Sequence, residues 1–297
     1  MTSPAPGIAE YILPNVRRVL APNPGPMTHW GTNSYILGKG NVAIIDPGPD
    51  HPGHLAALLE ATKSETVTHI LVTHAHADHS PLARALADET GAPIYGFGPP
   101  TAGRSATMNH LADMGLAGGG EGVDPSFAPD HTLRDGDAIT GDNWKIVTLH
   151  TPGHFAGHLA FQCDDLVFSG DHVMDWSSSL VSPPDGDLGG FMRTSQRLKT
   201  INARLFLPGH GNPIENPADR LSWLIQHRKA REAAILAALE TRSQKIADIT
   251  ATVYHDVPAE MHPAAARNVF AHLIDLVERN LVVASPNLSL DAGYSKA

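Results

Sequence analysis

The sequence predicts an α/β protein with a larger unit over residues 1–217 and a smaller helical unit over 218–297. Three observations predict it. Short apolar runs at 69–73 (HILVT), 166–168 (LVF) and 205–207 (LFL) have the length of strands, and each runs into a loop carrying polar residues. Alanine- and leucine-rich stretches with helical spacing lie between such runs. After His210 the alternation stops and long helical periodicity takes over.

The elements follow in order. Residues 34–37 and 42–45 flank Gly38-Lys39-Gly40-Asn41, a turn signal that makes them a hairpin ending at Asp46-Pro47-Gly48. Residues 54–63 read as a helix. So do 80–90, with Pro81 in the first turn and Gly91 beyond the end. Residues 108–130 are rich in Gly, Asp and Pro around Gly118-Gly119-Gly120 and read as a mobile loop, an active-site flap or plain disorder. Strands follow at 145–149, 159–163 and 166–168, a helix at 187–200, and the last core strand at 205–207. The tail reads as helices at 218–241, 244–254 and 263–280, then one short strand at 281–283. Helix, helix, helix and strand is the order of a winged-helix module.

The loop after 69–73 reads His74-Ala75-His76-Ala77-Asp78-His79, four metal-ligating side chains in six residues. Imidazole and carboxylate suit zinc and similar divalent metals. Alternate spacing lets His74 and His76 face one ion while Asp78 and His79 turn toward a second. Further candidates sit on loops downstream: His154 in Pro152-Gly153-His154, Asp171 in Ser169-Gly170-Asp171-His172, and His210 in Pro208-Gly209-His210.

The order H-x-H-x-D-H, H, D, H resembles the metallo-β-lactamase superfamily of binuclear metal hydrolases. The resemblance implies an αββα sandwich with two divalent ions, zinc foremost and manganese or iron as other occupants. It assigns one site to His74, His76 and His154, the other to Asp78, His79 and His210, and makes Asp171 the bridge. A hydroxide shared by the ions would be the nucleophile, with Asp78 orienting it. Asp46 would steady a ligand histidine. His29, Trp30, His172 and Trp176 are candidates for the layer behind the ligands or for the substrate wall, with Met27 beside them. The remaining histidines, His54, His227 and His272 among them, read as surface or packing residues. The tail resembles the winged-helix module of the β-lactamase-like protein 2 subgroup.

The same resemblance narrows the chemistry. Antibiotic-hydrolysing members carry Cys or Ser where Asp171 stands, the di-iron oxygen-reducing branch carries an acidic residue where His76 stands, and the β-CASP nucleases need an insertion for which 154–210 has no room. Hydrolysis of a small acyl substrate (ester, lactone or thioester) is the leading reading. Cleavage of single-stranded RNA, which the subgroup resemblance implies, is the alternative, and a non-catalytic module fits poorly with seven intact ligands. The net charge of −10 disfavours a broad grip on nucleic acid. Arg104 and Arg193 are the cations an RNA strand would need. In the tail, Arg267, Asn268 and Arg279 oppose Asp275 and Glu278, a weak basic face that favours a cleft wall or a homodimer contact over DNA reading. A single cysteine, Cys163, excludes an intrachain disulfide. The first ten residues lack a signal-peptide pattern and no run has the length of a membrane span, so the expected location is cytoplasmic.

Overall fold

The computed structural model describes residues 4–119 and 122–297. Two sheets pack face to face. The first runs in the order β1 (Ala9–Leu13), β2 (Val16–Leu20), β3 (Asn33–Leu37), β4 (Asn41–Ile45), β5 (Thr66–Leu71), β6 (Ile94–Gly96), β7 (His131–Thr132). The second contains β8 (Ala138–Thr140), β9 (Lys145–His150), β10 (Leu159–Cys163), β11 (Leu166–Gly170) and β12 (Leu205–Pro208), with β12 and β8 at its edges.

The side-chain period of two builds the layers. Tyr35, Leu37, Ala43 and Ile45 face Phe161, Cys163, Phe168 and Leu207 in the core between the sheets. Their neighbours Ile36, Val42 and Ile44 point outward and pack on α1 (Pro52–Ala61) and α2 (Leu82–Thr90) through Leu58, Ala83 and Leu86. Beyond the second sheet, Val167 and Phe206 meet Leu198 of α4 (Leu188–Lys199) and Leu221 and Leu224 of α5 (Pro217–Ala238). This is the αββα sandwich.

The parallel pairs β4–β5 and β11–β12 need crossovers, which α1 and α4 supply. The chain therefore leaves β4, β5, β11 and β12 at the same ends, and those ends carry Asp46, the loop from Thr73 to His79, Asp171 and His210.

The 22-residue α5 crosses from one core to the other. Its first turns close the second sheet. Its end supplies Ile235 to a separate core formed with α6 (Ile246–Val253), α7 (His262–Glu278) and the antiparallel pair β13 (Val282–Ser285) and β14 (Gly293–Lys296). Met108 and Leu111 of α3 (Ala106–Asp113) belong to that core too, so the sandwich anchors the tail at two places.

Several expectations are corrected. The segment 108–130 is not simply a loop. It begins inside α3, which Ser105 caps by accepting from the Met108 N–H, and it ends with Phe127 buried beside α2. Between them Arg267 donates to the carbonyls of Ala117, Gly118 and Pro183. Gly120 of the glycine run lies outside the described residues. Strands β1 and β2 are not among the expected elements; in β2, Arg17 and Arg18 interrupt the apolar pattern, and both are buried, paired with Glu65 and Glu10. The tail ends in two strands rather than one. Among the described residues no helix is long and apolar enough to cross a membrane.

His54 and His272 are fully buried. Burial, together with His51, pushes His54 down to about 4. Burial, reinforced by Arg228, His227, Arg231 and Arg279, pushes His272 down to about 3. Both are neutral when folded and titrate near 6.5 when unfolded. The unfolded chain thus binds more protons below pH 6.5. The stability is complete above that value and is lost as pH falls toward 4 and 3, at about 1.4 kcal/mol per pH unit for each histidine. Denaturant titrations of chelator-treated protein should show this slope, and His272→Leu should reduce it. The leucine should also hold neutral-pH stability, because neither ring nitrogen of His272 has a hydrogen-bond partner among the described residues.

Candidate metal centre

The turn after β5 delivers four of the seven predicted ligands, and the strand ends deliver the rest. All seven are buried. They form three overlapping groups, His74–His76–His154, Asp78–His79–His210 and His74–His79–Asp171, with the ligand atoms of each group within 4.8 Å of one another.

Four of the five imidazoles, those of His74, His79, His154 and His210, are aimed by a bond to the other nitrogen. His154 Nδ1 donates to the Leu180 carbonyl at 2.6 Å, and His210 Nδ1 to the Gly31 carbonyl at 3.1 Å. Asp46 is the hub at the end of β4. Its Oδ1 accepts from the Thr73 N–H at 2.7 Å, and its Oδ2 accepts from Thr73 Oγ1 at 2.8 Å and from His79 Nδ1 at 3.0 Å. Thr73 Oγ1, its hydrogen spent on Asp46, accepts from His74 Nδ1 at 3.0 Å. His74 and His154 therefore turn their Nε2 lone pairs onto His76 Nδ1, at 2.9 and 3.0 Å.

Asp171 reaches both groups. Its Oδ1 lies 3.4 Å from His79 Nε2, and its Oδ2 lies 3.3 Å from His210 Nε2 and 3.7 Å from His154 Nε2. Asp78 Oδ2 lies 3.1 Å from His210 Nε2 and 3.3 Å from His79 Nε2. Among the described residues, Asp78 Oδ1, His79 Nε2 and Asp171 Oδ1 are buried without a well-formed hydrogen bond. Such orphaned polar atoms are costly unless something fills the space between them.

Ionisation points the same way. Burial holds His74 well below its ordinary value and His76 down at about 3, so both offer lone pairs. Burial also opposes charge on His79 and His210, but the carboxylates of Asp78 and Asp171 outweigh it. His79 is raised well above its ordinary range and His210 is pushed up to about 10. Protons on their Nε2 atoms then sit where a cation would, and cations must displace them. Nitrogen and carboxylate donors in this number fit two divalent ions.

Glycine makes the approach possible. A Cβ on Gly209 would lie 2.3 Å from Asp171 Oδ1 and 2.7 Å from His79 Cε1.

The other sequence-predicted residues are placed unevenly. Trp176 and Met27 line a cleft of about 250 Å³ that opens onto His76, Asp78, His154, Asp171 and His210. His29 packs edge-on against Trp176 at 4.9 Å and Trp30 at 4.3 Å. His172 turns away into the core, stacked on Phe191 and bonded to Ser195 Oγ at 3.0 Å. His158, not His172, touches the ligand loop: its Nε2 accepts from the Asp171 N–H at 3.1 Å. Arg104 is engaged with buried Asp185, and Arg193 stands exposed on α4.

Sequence reasoning expected the tail to wall the cleft but did not assign the residues that do so, including His227, Arg231, Tyr254, Met261 and Asn268, and it missed Thr73. The residue before an H-x-H-x-D-H loop could have drawn attention to Thr73. No local signal marks the tail residues, because α7 is apolar on several sides.

Comparison with known proteins agrees with this geometry. Residues 27–210 match the family model of the metallo-beta-lactamase superfamily, and residues 246–287 match the beta-lactamase associated winged helix domain. The chain therefore belongs to the metallo-β-lactamase superfamily, as a metal-dependent hydrolase with a winged-helix domain behind the sandwich. It is 30% identical over 275 residues to the Drosophila melanogaster Beta-lactamase-like protein 2 homolog, covering 88% of this chain and 87% of that one. It is 29% identical over 237 residues to the atrochrysone carboxyl ACP thioesterase of Aspergillus fumigatus, covering 78% and 67%. A metallo-beta-lactamase family protein from Thermus thermophilus superposes with a TM-score of 0.77 at 25% identity, over 97% of this chain and 100% of that one.

Two substitutions test the centre without touching a ligand. Asp46→Ala frees His79 and Thr73, and metal affinity should fall about 10- to 100-fold in competition with a chelator dye. Gly209→Ala must displace Asp171 or His79, so elemental analysis should show depleted metal while the circular dichroism spectrum stays that of the wild type.

Proposed function

We propose that the protein is a binuclear zinc hydrolase acting on a small acyl substrate: an ester, lactone or thioester. The observation that carries the reading is the cleft. It holds about 250 Å³, is floored by the ligand residues, and is walled by Met27, Met174, Tyr254, Val257 and Met261. That lining suits a small-molecule site, and the volume lies just under the roughly 300 Å³ at which such sites usually begin. The thioesterase name of the Aspergillus fumigatus relative supports the acyl class.

His74, His76 and His154 would hold one ion, Asp78, His79 and His210 the other, with Asp171 between them. Bound there, such ions supply a water deprotonated near neutral pH and an electrophile for the carbonyl oxygen. The protein's own residues do the rest. Asp78 is held through Oδ2 by Thr32 Oγ1 at 3.3 Å and keeps Oδ1 free, so it can orient the attacking water by accepting its proton. The Asp46–Thr73 hub and the Leu180 and Gly31 carbonyls keep the imidazoles from turning as charge develops. Trp176 and the tail wall exclude bulk water from the reacting carbonyl.

Cleavage of single-stranded RNA is the competing reading. A strand needs a cationic groove with exposed stacking partners. Arg104 is spent on Asp185, Arg267 on loop carbonyls, and Arg279 on Glu232 and Asp275.

The test is a panel of acyl thioesters, lactones and esters beside a labelled single-stranded RNA, each with zinc-loaded wild type and Asp78→Ala. The expected outcome is hydrolysis of an acyl substrate that falls to background in the variant, with the RNA left whole. RNA cleavage lost in the variant, with no acyl turnover, would overturn the acyl reading.

A further inference from the structure

One face of α7 looks into the cleft. Met261, at the cap of the helix, and Ala264, Ala265 and Asn268 all line it, at the i, i+3, i+4, i+7 spacing of a single helical stripe. The stripe is apolar and small except for Asn268.

The amide of Asn268 cannot turn freely. Its Oδ1 accepts from the Val181 N–H at 3.1 Å and from Arg228 Nη1 at 3.0 Å. Two donors on one atom settle which end is oxygen. Nδ2 is left facing the other way, and it donates to no protein group among the described residues. The cleft thus holds an oriented N–H donor with nothing to bind.

Arg228 is the reason for the orientation. It is 1% exposed and has no carboxylate within ion-pair distance among the described residues. Its guanidinium lies 5.2 Å from the Phe191 ring centroid, and Nη2 donates to the Ser179 carbonyl. A buried cation without a counter-ion is a costly way to hold a fold together. Here it ties α5 to the loop around Ser179 and to α7, and it fixes the one polar side chain of the stripe.

We infer that Asn268 is a substrate-positioning residue whose Nδ2 donates to an oxygen of the bound acyl compound while Met261, Ala264 and Ala265 take its apolar part. Arg228 acts through Asn268. The inference rests on the acyl reading above for its substrate class, and it places specificity in the winged-helix domain.

Asn268→Asp is the sharpest probe. The carboxylate still accepts from Arg228 and Val181; the N–H donor is lost, and the added charge gives Arg228 a counter-ion. With a neutral hexanoyl thioester and zinc-loaded protein, kcat/KM should fall about tenfold or more, carried by KM, with metal content unchanged and the melting temperature no lower than that of the wild type. Arg228→Met should give a similar loss; if it fails to fold, the Asp variant still decides.

A direct readout is the side-chain amide resonance of Asn268 in 15N-labelled zinc-loaded protein, assigned by its absence from Asn268→Asp. Titration with hexanamide, a neutral carbonyl probe, should shift that resonance saturably and bind the variant more weakly. Binding that leaves the resonance unmoved, equal binding to the variant, or no hexanamide binding would each overturn the inference. A shifting resonance in a wild type that hydrolyses no acyl substrate would keep the assignment of Asn268 and discard the acyl reading.

Discussion

Five imidazoles and two carboxylates are buried together at one edge of the sandwich, and much of the molecule is arranged to make that tolerable. Polar groups removed from water need partners, and buried charges need opposite charges. Here the outward-facing atoms have them: Nδ1 of His79, His154 and His210 bonds to Asp46, Leu180 and Gly31, and His74 bonds to Thr73. The inward-facing atoms do not: among the described residues, Asp78 Oδ1, His79 Nε2 and Asp171 Oδ1 remain unsatisfied. Bound divalent metal would resolve that imbalance and turn the atoms that strain an empty pocket into ligands.

The sandwich supplies rigidity where this arrangement needs it. Parallel pairing puts the exits of β4, β5, β11 and β12 at one edge. Hydrogen bonds from Ala77 to Gly122 and from Asp124 to Ala75 brace the ligand loop from the side, and Ser80 Oγ donates to Asp124. The glycine-rich segment thus ends as a strut beneath the H-x-H-x-D-H turn. Gly209 keeps β12 close enough for His210 and Asp171 to share the site.

The tail completes the cleft. Continuous α5 carries the chain from the second sheet into the tail core, and α3 of the sandwich packs into that core as well. Two winged-helix cations that could face a nucleic acid are occupied: Arg267 by loop carbonyls, and Arg279 by Glu232 and Asp275. The domain faces inward, toward the site.

Much of this was legible in the chain. The 69–73 run, the Gly38–Asn41 turn, the prolines at helix starts and the ordered ligand motifs are local signals, and the αββα class followed from the family they resemble. Strand β2 was hidden by Arg17 and Arg18, which are buried and paired with Glu65 and Glu10. Helix α3 was hidden in glycine-rich sequence, because its apolar partners Ile249 and Phe270 lie far away in the chain. His172 and His158 flank the motifs alike in sequence, yet one turns into the core and the other braces Asp171. The sequence by itself determined which side chains can ligate and which strands carry them, because ligand chemistry and strand period are local properties. Only the tertiary structure decided what closes the cleft, because Tyr254, Met261 and Asn268 lie far along the chain from every ligand, and only the path of α5 brings them there.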